Sequence, residues 1–231
     1  MKNWTVISQP IKQGAKGLAC YLNYLINAEH KNHKNKTKII PIFGVMGKLY
    51  KRIIYSVAER DLERSKKRKG GRSISSYAQS YVFTLPEGLP KHPSYSDWKY
   101  ISVELLKTIQ AFTGVSSDEL KKNIFINIHD QKNPHLNLVV SKVMAKSVKT
   151  ELQKKSIVTA LKKTFNFAVM QTIELSPDDY KPQKKRSKRY NEYQYQQKKL
   201  TESCDDFLVK KLASSLPQNN NVQQNIGGKC E

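Results

Sequence analysis

Hydrophobic and polar positions sort the first ~175 residues into strands and helices, and the pattern stops after that. Trp4 to Ile11 reads as a first strand. Gly17 to Glu29 sets Leu18, Tyr21, Leu22, Leu25 and Ile26 at helical spacing, and Lys38 to Phe43 fits a short strand. Leu49 to Lys67 reads as a helix that runs into a cluster of basic residues, interrupted by Gly70-Gly71. Tyr77 to Leu85 alternates in the manner of a strand and stops at Pro86. Ser96-Asp97 is expected to cap a helix from Trp98 to Phe112, which Gly114 ends. Ile124 to His129 and Leu136 to Val143 read as two strands joined by the turn Asp130-Gln131-Lys132-Asn133-Pro134. Thr150 to Thr172 reads as one long helix, with Leu152, Ile157, Leu161, Phe165 and Val169 along one side. Strand, helix, strand, helix, hairpin, helix is the order of an α+β fold with a central antiparallel sheet.

The composition changes near residue 176. From Ser176 to Lys199 there are no aliphatic residues, so little surface can be buried to offset chain entropy. The expected organisation is a globular domain over 1–175, a flexible basic linker over 176–199, a short helix over 200–216 and a disordered Asn/Gln-rich tail over 217–231.

Charge narrows the class of partner. The 231 residues hold 41 Lys and Arg against 19 Asp and Glu, a formal net charge of +22. Such an excess calls for a polyanion, most simply nucleic acid, because each cation that meets a phosphate releases condensed counterions. Two clusters carry six cations each. The first holds Arg64, Lys66, Lys67, Arg68, Lys69 and Arg72. The second runs from Lys181 through Lys184, Lys185, Arg186, Lys188 and Arg189, with Tyr190, Tyr193 and Tyr195 behind it. Cations interleaved with aromatic rings suit single strands. No apolar run approaches the ~20 residues of a membrane span, and no signal peptide opens the chain. Cys20, Cys204 and Cys230 are too few and too scattered for a disulfide framework, so a reducing cytoplasm is the expected home.

The most informative stretch is Ile124-Phe-Ile-Asn-Ile-His129-Asp-Gln-Lys-Asn-Pro-His135-Leu-Asn137-Leu-Val-Val-Ser141. Strand residues two apart share a face, so His135 and Asn137 project together, and the hairpin brings His129 to the same end of the sheet. Imidazole nitrogens and an amide oxygen on adjacent strands make a site for a divalent cation. The plainer alternative is a polar hairpin with its histidines satisfied at a sheet edge.

The run His-Asp-x-x-Asn-Pro-His-Leu-Asn before an aliphatic strand resembles the third motif of the HUH endonucleases, and more closely that of the relaxases that nick plasmid DNA for mobilisation and conjugation. Asp130, Pro134, His135 and Leu136 fall in place. His129 stands directly before Asp130, one residue nearer the pair than in the family pattern, and Asn137 occupies the last histidine's position. These relaxases also carry a tyrosine in a helix just after the first strand. Tyr24, followed by Leu25-Ile26, is the better match, and Tyr21, three residues earlier, is the alternative nucleophile.

The resemblance implies an HUH palm of ferredoxin- or RRM-like type. It also implies attack by Tyr24 on a scissile phosphate to leave a 5′-phosphotyrosine, with a divalent metal, Mn²⁺ or Mg²⁺, held by His129, His135 and Asn137. Asp130 would orient a histidine or act as a base towards the tyrosine, or else cap the hairpin turn. The implied partners are the single-stranded or supercoiled origin region of a plasmid and accessory mobilisation or replication proteins. A rolling-circle replication initiator uses the same kinds of residue, and a degenerate relaxase-fold protein that binds DNA without cutting it is the rival from another class.

Overall fold

In the computed structural model, residues 4–67, 73–89 and 91–175 are described. The linker, helix and tail expected beyond residue 175 lie outside them, as do Arg68, Lys69, Arg72 and the whole second basic cluster. The elements follow in the order β1 (Thr5–Lys12), α1 (Gly14–Ile26), β2 (Lys38–Phe43), α2 (Met46–Lys66), β3 (Ser76–Thr84) and α3 (Tyr95–Thr113). Then come α4 (Ser117–Lys122), β4 (Ile124–Asp130), β5 (His135–Ser141), a small hairpin of β6 (Val143–Met144) and β7 (Ser147–Val148), and α5 (Lys155–Ile173).

Five strands form one antiparallel sheet in the order β1-β3-β5-β4-β2. Alternation along each strand sends Tyr81, Phe83, Ile126, Ile128, Leu136 and Leu138 to one face, where α3 and α5 cover them with Trp98, Ile101, Leu105, Ile109, Leu161 and Phe165. The other face is covered by α1 and α2. Leu18, Leu22 and Leu25 of α1, fully buried, recur every three or four residues and pack with Leu49, Ile53 and Val57 of α2 on Ile11, Ala78, Phe125 and Val139. Each such leucine contributes roughly 1.5–3 kcal/mol by leaving water. The second face is apolar only at one end. Towards His135 the inward positions become Ser80, Asn127, His129 and Asn137, all buried.

Several boundaries differ from the expectation for local reasons. The cap of α3 is Ser94, whose hydroxyl accepts from the Asp97 amide while the Asp97 carboxylate accepts from the Ser94 amide, so α3 starts one turn before Trp98. The long helix over 150–172 is a 3-10 turn, Thr150–Gln153, and then α5, because Lys154 is extended. The short α4, capped by Ser116, has too few turns to show a periodicity. The strand expected to reach Val143 stops at Ser141, whose hydroxyl donates to the Val143 carbonyl and accepts from the Val143 amide.

Both edges of the sheet are irregular. β1 carries Pro10 and a register shift between Ile11 and Lys12, and β2 carries Pro41 and a shift between Pro41 and Phe43.

The chain passes from β1 into α1 through a tight turn in which Gln13 is left-handed. Gly17 lies so close to this turn that a Cβ there would stand 1.9 Å from the Lys12 carbonyl oxygen. Because that atom is backbone, relief requires moving α1 itself. Gly17→Ala is therefore expected to cost roughly 1–3 kcal/mol in urea unfolding, in the range of overpacked cores. An unchanged midpoint would show that α1 can shift freely on the sheet.

A histidine-rich candidate active site

The site forms where α1 ends over the polar part of the sheet. The last carbonyls of a helix have no partner within it. Here the Leu25 carbonyl accepts from Asn127 Nδ2 at 2.6 Å and from His129 Nε2 at 2.9 Å. The chain then turns through Asn27, whose side-chain Oδ1 accepts from the Glu29 amide and whose carbonyl accepts from His33 Nδ1 at 2.8 Å. His33 is held further by backbone bonds from its amide to the His30 carbonyl and from the Thr37 amide to its own carbonyl. The Thr37 hydroxyl donates to Gln131 Oε1 in the β4–β5 turn, tying the two loops together.

Three of the chain's five histidines meet Tyr24 here, and a fourth, His135, joins them through His129. The Tyr24 ring centre lies 4.7 Å from that of His33, 4.9 Å from His30 and 6.3 Å from His129. His33 lies 4.5 Å from His129, and His129 lies 5.0 Å from His135. His135 Nδ1 is 3.3 Å from the Asn133 carbonyl oxygen. So of the residues singled out in the sequence, Tyr24, His129 and His135 come together. Asn137 shares their face of the sheet, two residues in from His135 and opposite Asn127.

Tyr21 is placed differently. Its hydroxyl is 2.6 Å from Ser80 Oγ, and burial raises its pKa, so the phenol is both engaged and harder to ionise than a free one. Asp130 is the strand neighbour of His129 and therefore faces the other side of β4, away from the imidazoles. Arg64, Lys66 and Lys67 lie in the last turn of α2 and just past it. Glu63, in that same turn, bonds Lys146 in the β6–β7 turn, which follows the end of β5 remote from His135. The described part of the first basic cluster thus sits at the opposite end of the sheet from the histidines.

His30 and His33 were not singled out by the sequence. Their spacing of three, beginning six residues beyond Tyr24, is the signal available, but it falls in a polar loop with no strand or helix to place it. Three buried polar atoms around the site have no hydrogen-bond partner, namely His33 Nε2, Asn127 Oδ1 and Asn137 Nδ2. An unpaired buried polar atom is costly, and such atoms mark where a ligand, ion or water completes a site. Among the described residues, no three His, Cys, Asp or Glu side chains already surround one point as metal ligands.

Burial lowers the pKa of His129 to about 4 and that of His135 in the same direction, so both are neutral at pH 7 and offer lone pairs. The unfolded chain takes up a proton at His129 below about pH 6.5, the folded chain only below about pH 4. The stability this contributes is complete above pH 6.5 and is lost as pH falls towards 4, by on the order of 2–3 kcal/mol. Urea unfolding across that window should show the decline, and His129→Gln should flatten it; an equal slope in both would place the titration elsewhere.

No protein-family model matches the chain, and no curated protein does. Among solved structures, the chain is similar to the MobM relaxase domain bound to oriT DNA of plasmid pMV158 in a manganese-bound crystal structure. The TM-score is 0.51 at 11% identity, over 83% of this chain and 97% of that one. A second structure of that domain with oriT DNA gives 0.48 at 9% identity, over 84% and 98% of the two chains. The conjugative relaxase TrwC in complex with oriT DNA gives 0.37 at 10% identity, over 95% and 87%. The first of these likenesses spans nearly all of that domain and shows the architecture shared by the two chains, a central sheet flanked by helices. The chain has a relaxase-like fold.

Proposed function

We propose that the chain is a relaxase that nicks one DNA strand by transesterification to Tyr24. The observation that carries this reading is the Tyr24 ring packed on His33 and near His129, which has His135 beside it on a buried polar patch of the sheet. Tyr24 Oη attacks the phosphorus, the bond to the 3′ oxygen breaks, and a 5′-phosphotyrosine and a free 3′-hydroxyl result. The phenolic proton is given up as the new bond forms and the departing oxygen gains one. One phosphodiester replaces another, which makes later religation feasible.

A divalent cation fits the donor set. His129 and His135 present neutral imidazoles, and Asn137, on the same face of the sheet, would add its amide oxygen. The negative end of the α1 dipole points at the same spot through the Leu25 carbonyl and favours positive charge there. Bound at these residues, Mn²⁺ or Mg²⁺ would polarise the scissile phosphate. An amide oxygen beside two imidazoles favours such harder ions over Zn²⁺. The fold likeness and the charge of +22 support DNA as the partner, as plasmid origin DNA is for the similar relaxase domain. A relaxase-fold protein that binds DNA without cutting it is the second reading, favoured by the histidines' not yet surrounding a point.

Tyr24→Phe is expected to abolish the covalent protein–DNA adduct and leave binding almost intact, whereas Tyr21→Phe should still form the adduct. Denaturing gels of a nicked oligonucleotide or supercoiled substrate read both. Adduct formation by Tyr24→Phe would move the nucleophile elsewhere, and its absence in the parent protein with Mn²⁺ would favour the non-cutting reading.

Neutralising Lys66, Lys67, Arg68 and Lys69 should weaken binding to all sequences alike. It should also flatten the dependence of log K on log salt by roughly 0.7–0.9 per lost phosphate contact. An unchanged salt slope would mean that this run meets water and not DNA.

A further inference from the structure

We propose that the cleft between the first turns of α2 and the end of α4 holds the phosphate backbone of duplex DNA, at the end of the sheet opposite Tyr24. The inference rests on the reading of DNA as the partner and is independent of cutting and of any metal.

A tight passage from β2 into α2 builds the cleft. Gly44 has φ +80°, and a Cβ there would stand 2.4 Å from the Ile124 carbonyl oxygen, so glycine lets this turn press against the start of β4. That contact sets the first two turns of α2 beside the last turn of α4 and leaves a cleft of about 340 Å³. Lys48 and Arg52, about one turn apart on α2, line it together with Lys121 and Lys122, which close α4.

Three observations point to a phosphate ligand. The first is charge. Two carboxylates offset these four cations, Glu119 at 3.3 Å from Arg52 and Asp118 at 3.6 Å from Lys121. Lys48 and Lys122 make no ion pair among the described residues, so the cleft keeps an excess of two positive charges. Glu119 is itself braced, since its other oxygen accepts from Asn123 Nδ2 at 3.0 Å and from the Ala145 amide at 3.3 Å. The carboxylate thus holds the guanidinium of Arg52 in place before any ligand arrives.

The second is an unfilled donor. Arg52 spends one N–H on Glu119, and its Nε is buried without a hydrogen-bond partner. A buried donor left idle is costly, and phosphate oxygens are the acceptors a guanidinium matches best. The third is open space beside α2. A Cβ at Gly47 would meet nothing within 4 Å, so packing does not demand a glycine in this first turn. The bare backbone lets a phosphate oxygen draw near and add the first amides of α2 to the lysines.

The rest of the lining decides between forms of DNA. Single strands are held by stacking their bases on aromatic rings. Apart from its cations, this cleft is lined by glycine and aliphatic side chains. It has contacts for phosphates and none for an open base, which suits a duplex. The position agrees, because α2 covers the same face of the sheet as the histidines. From Ile124 at the cleft to His129, β4 rises roughly 17 Å. That is about five base pairs at ~3.4 Å each, so one DNA can reach Tyr24 with its cut strand and lay a paired flank in the cleft.

The test is binding of the full-length protein to a labelled duplex oligonucleotide and to one of its strands alone, by fluorescence anisotropy in EDTA. Lys48→Ala/Lys122→Ala should weaken duplex binding at least about fivefold near physiological salt. It should flatten the dependence of log K on log salt by roughly 1.8, for two phosphate contacts at about 0.9 each. Binding of the single strand should weaken by a clearly smaller factor. Lys162→Ala/Lys163→Ala removes the same charge from α5, on the other face of the sheet, and is the control. A duplex loss no larger than the control's, or an equal loss for the single strand, would overturn the proposal while DNA stays the partner. A parent protein that binds neither form would remove the DNA reading itself, and this inference with it.

Discussion

The Leu25 carbonyl, taking hydrogen bonds from both Asn127 and His129, is the contact on which the site depends. A helix end needs acceptors satisfied, a buried histidine needs a donor partner, and a buried amide needs both. One oxygen answers part of each need. It fixes how far α1 reaches over the sheet, which tautomer His129 adopts, and where Tyr24, one residue before Leu25, presents its ring. The loop that carries His33 starts two residues later and is aimed by the same helix end through Asn27. Geometry that elsewhere needs several loops is here delegated to one helix terminus and two strand residues.

Much of the fold was legible because it rests on repeated patterns. The leucines of α1, the alternation of β3 and the apolar strand after His135 each repeat often enough to specify element and face. What was missed obeys no period. The box between Ser94 and Asp97 was displaced by two residues because Ser96 offers the same chemistry, and only the observed bond decides between them. The break at Lys154 leaves the apolar stripe of the following helix nearly in phase, so periodicity passes over it.

The site was legible where strands carry it and illegible where a loop does. His129 and His135 follow from hairpin pairing, since a register fixes which residues lie opposite. The same logic, extended by one residue, puts Asp130 on the wrong face to assist them. Nothing in the polar run between Asn27 and Thr37 states that His33 folds inward, because the bonds that hold it there go mostly to backbone carbonyls, which every residue possesses. A histidine pair three apart, close behind a tyrosine, was the only trace.

The prolines and bulges at the two outer strands have a consequence for how copies of the chain can meet. An edge strand normally offers a ladder of free amides and carbonyls to any extended segment that drifts past. Pro10 on one side and Pro41 on the other remove an amide from that ladder, and the adjacent register shifts twist what remains out of line. Each side is thereby a poorer template for another strand, and among the described residues the sheet has five. For a chain with a formal net charge of +22, whose copies are pressed together wherever salt screens that charge, edges of this kind lower the tendency of neighbours to zip into aggregates.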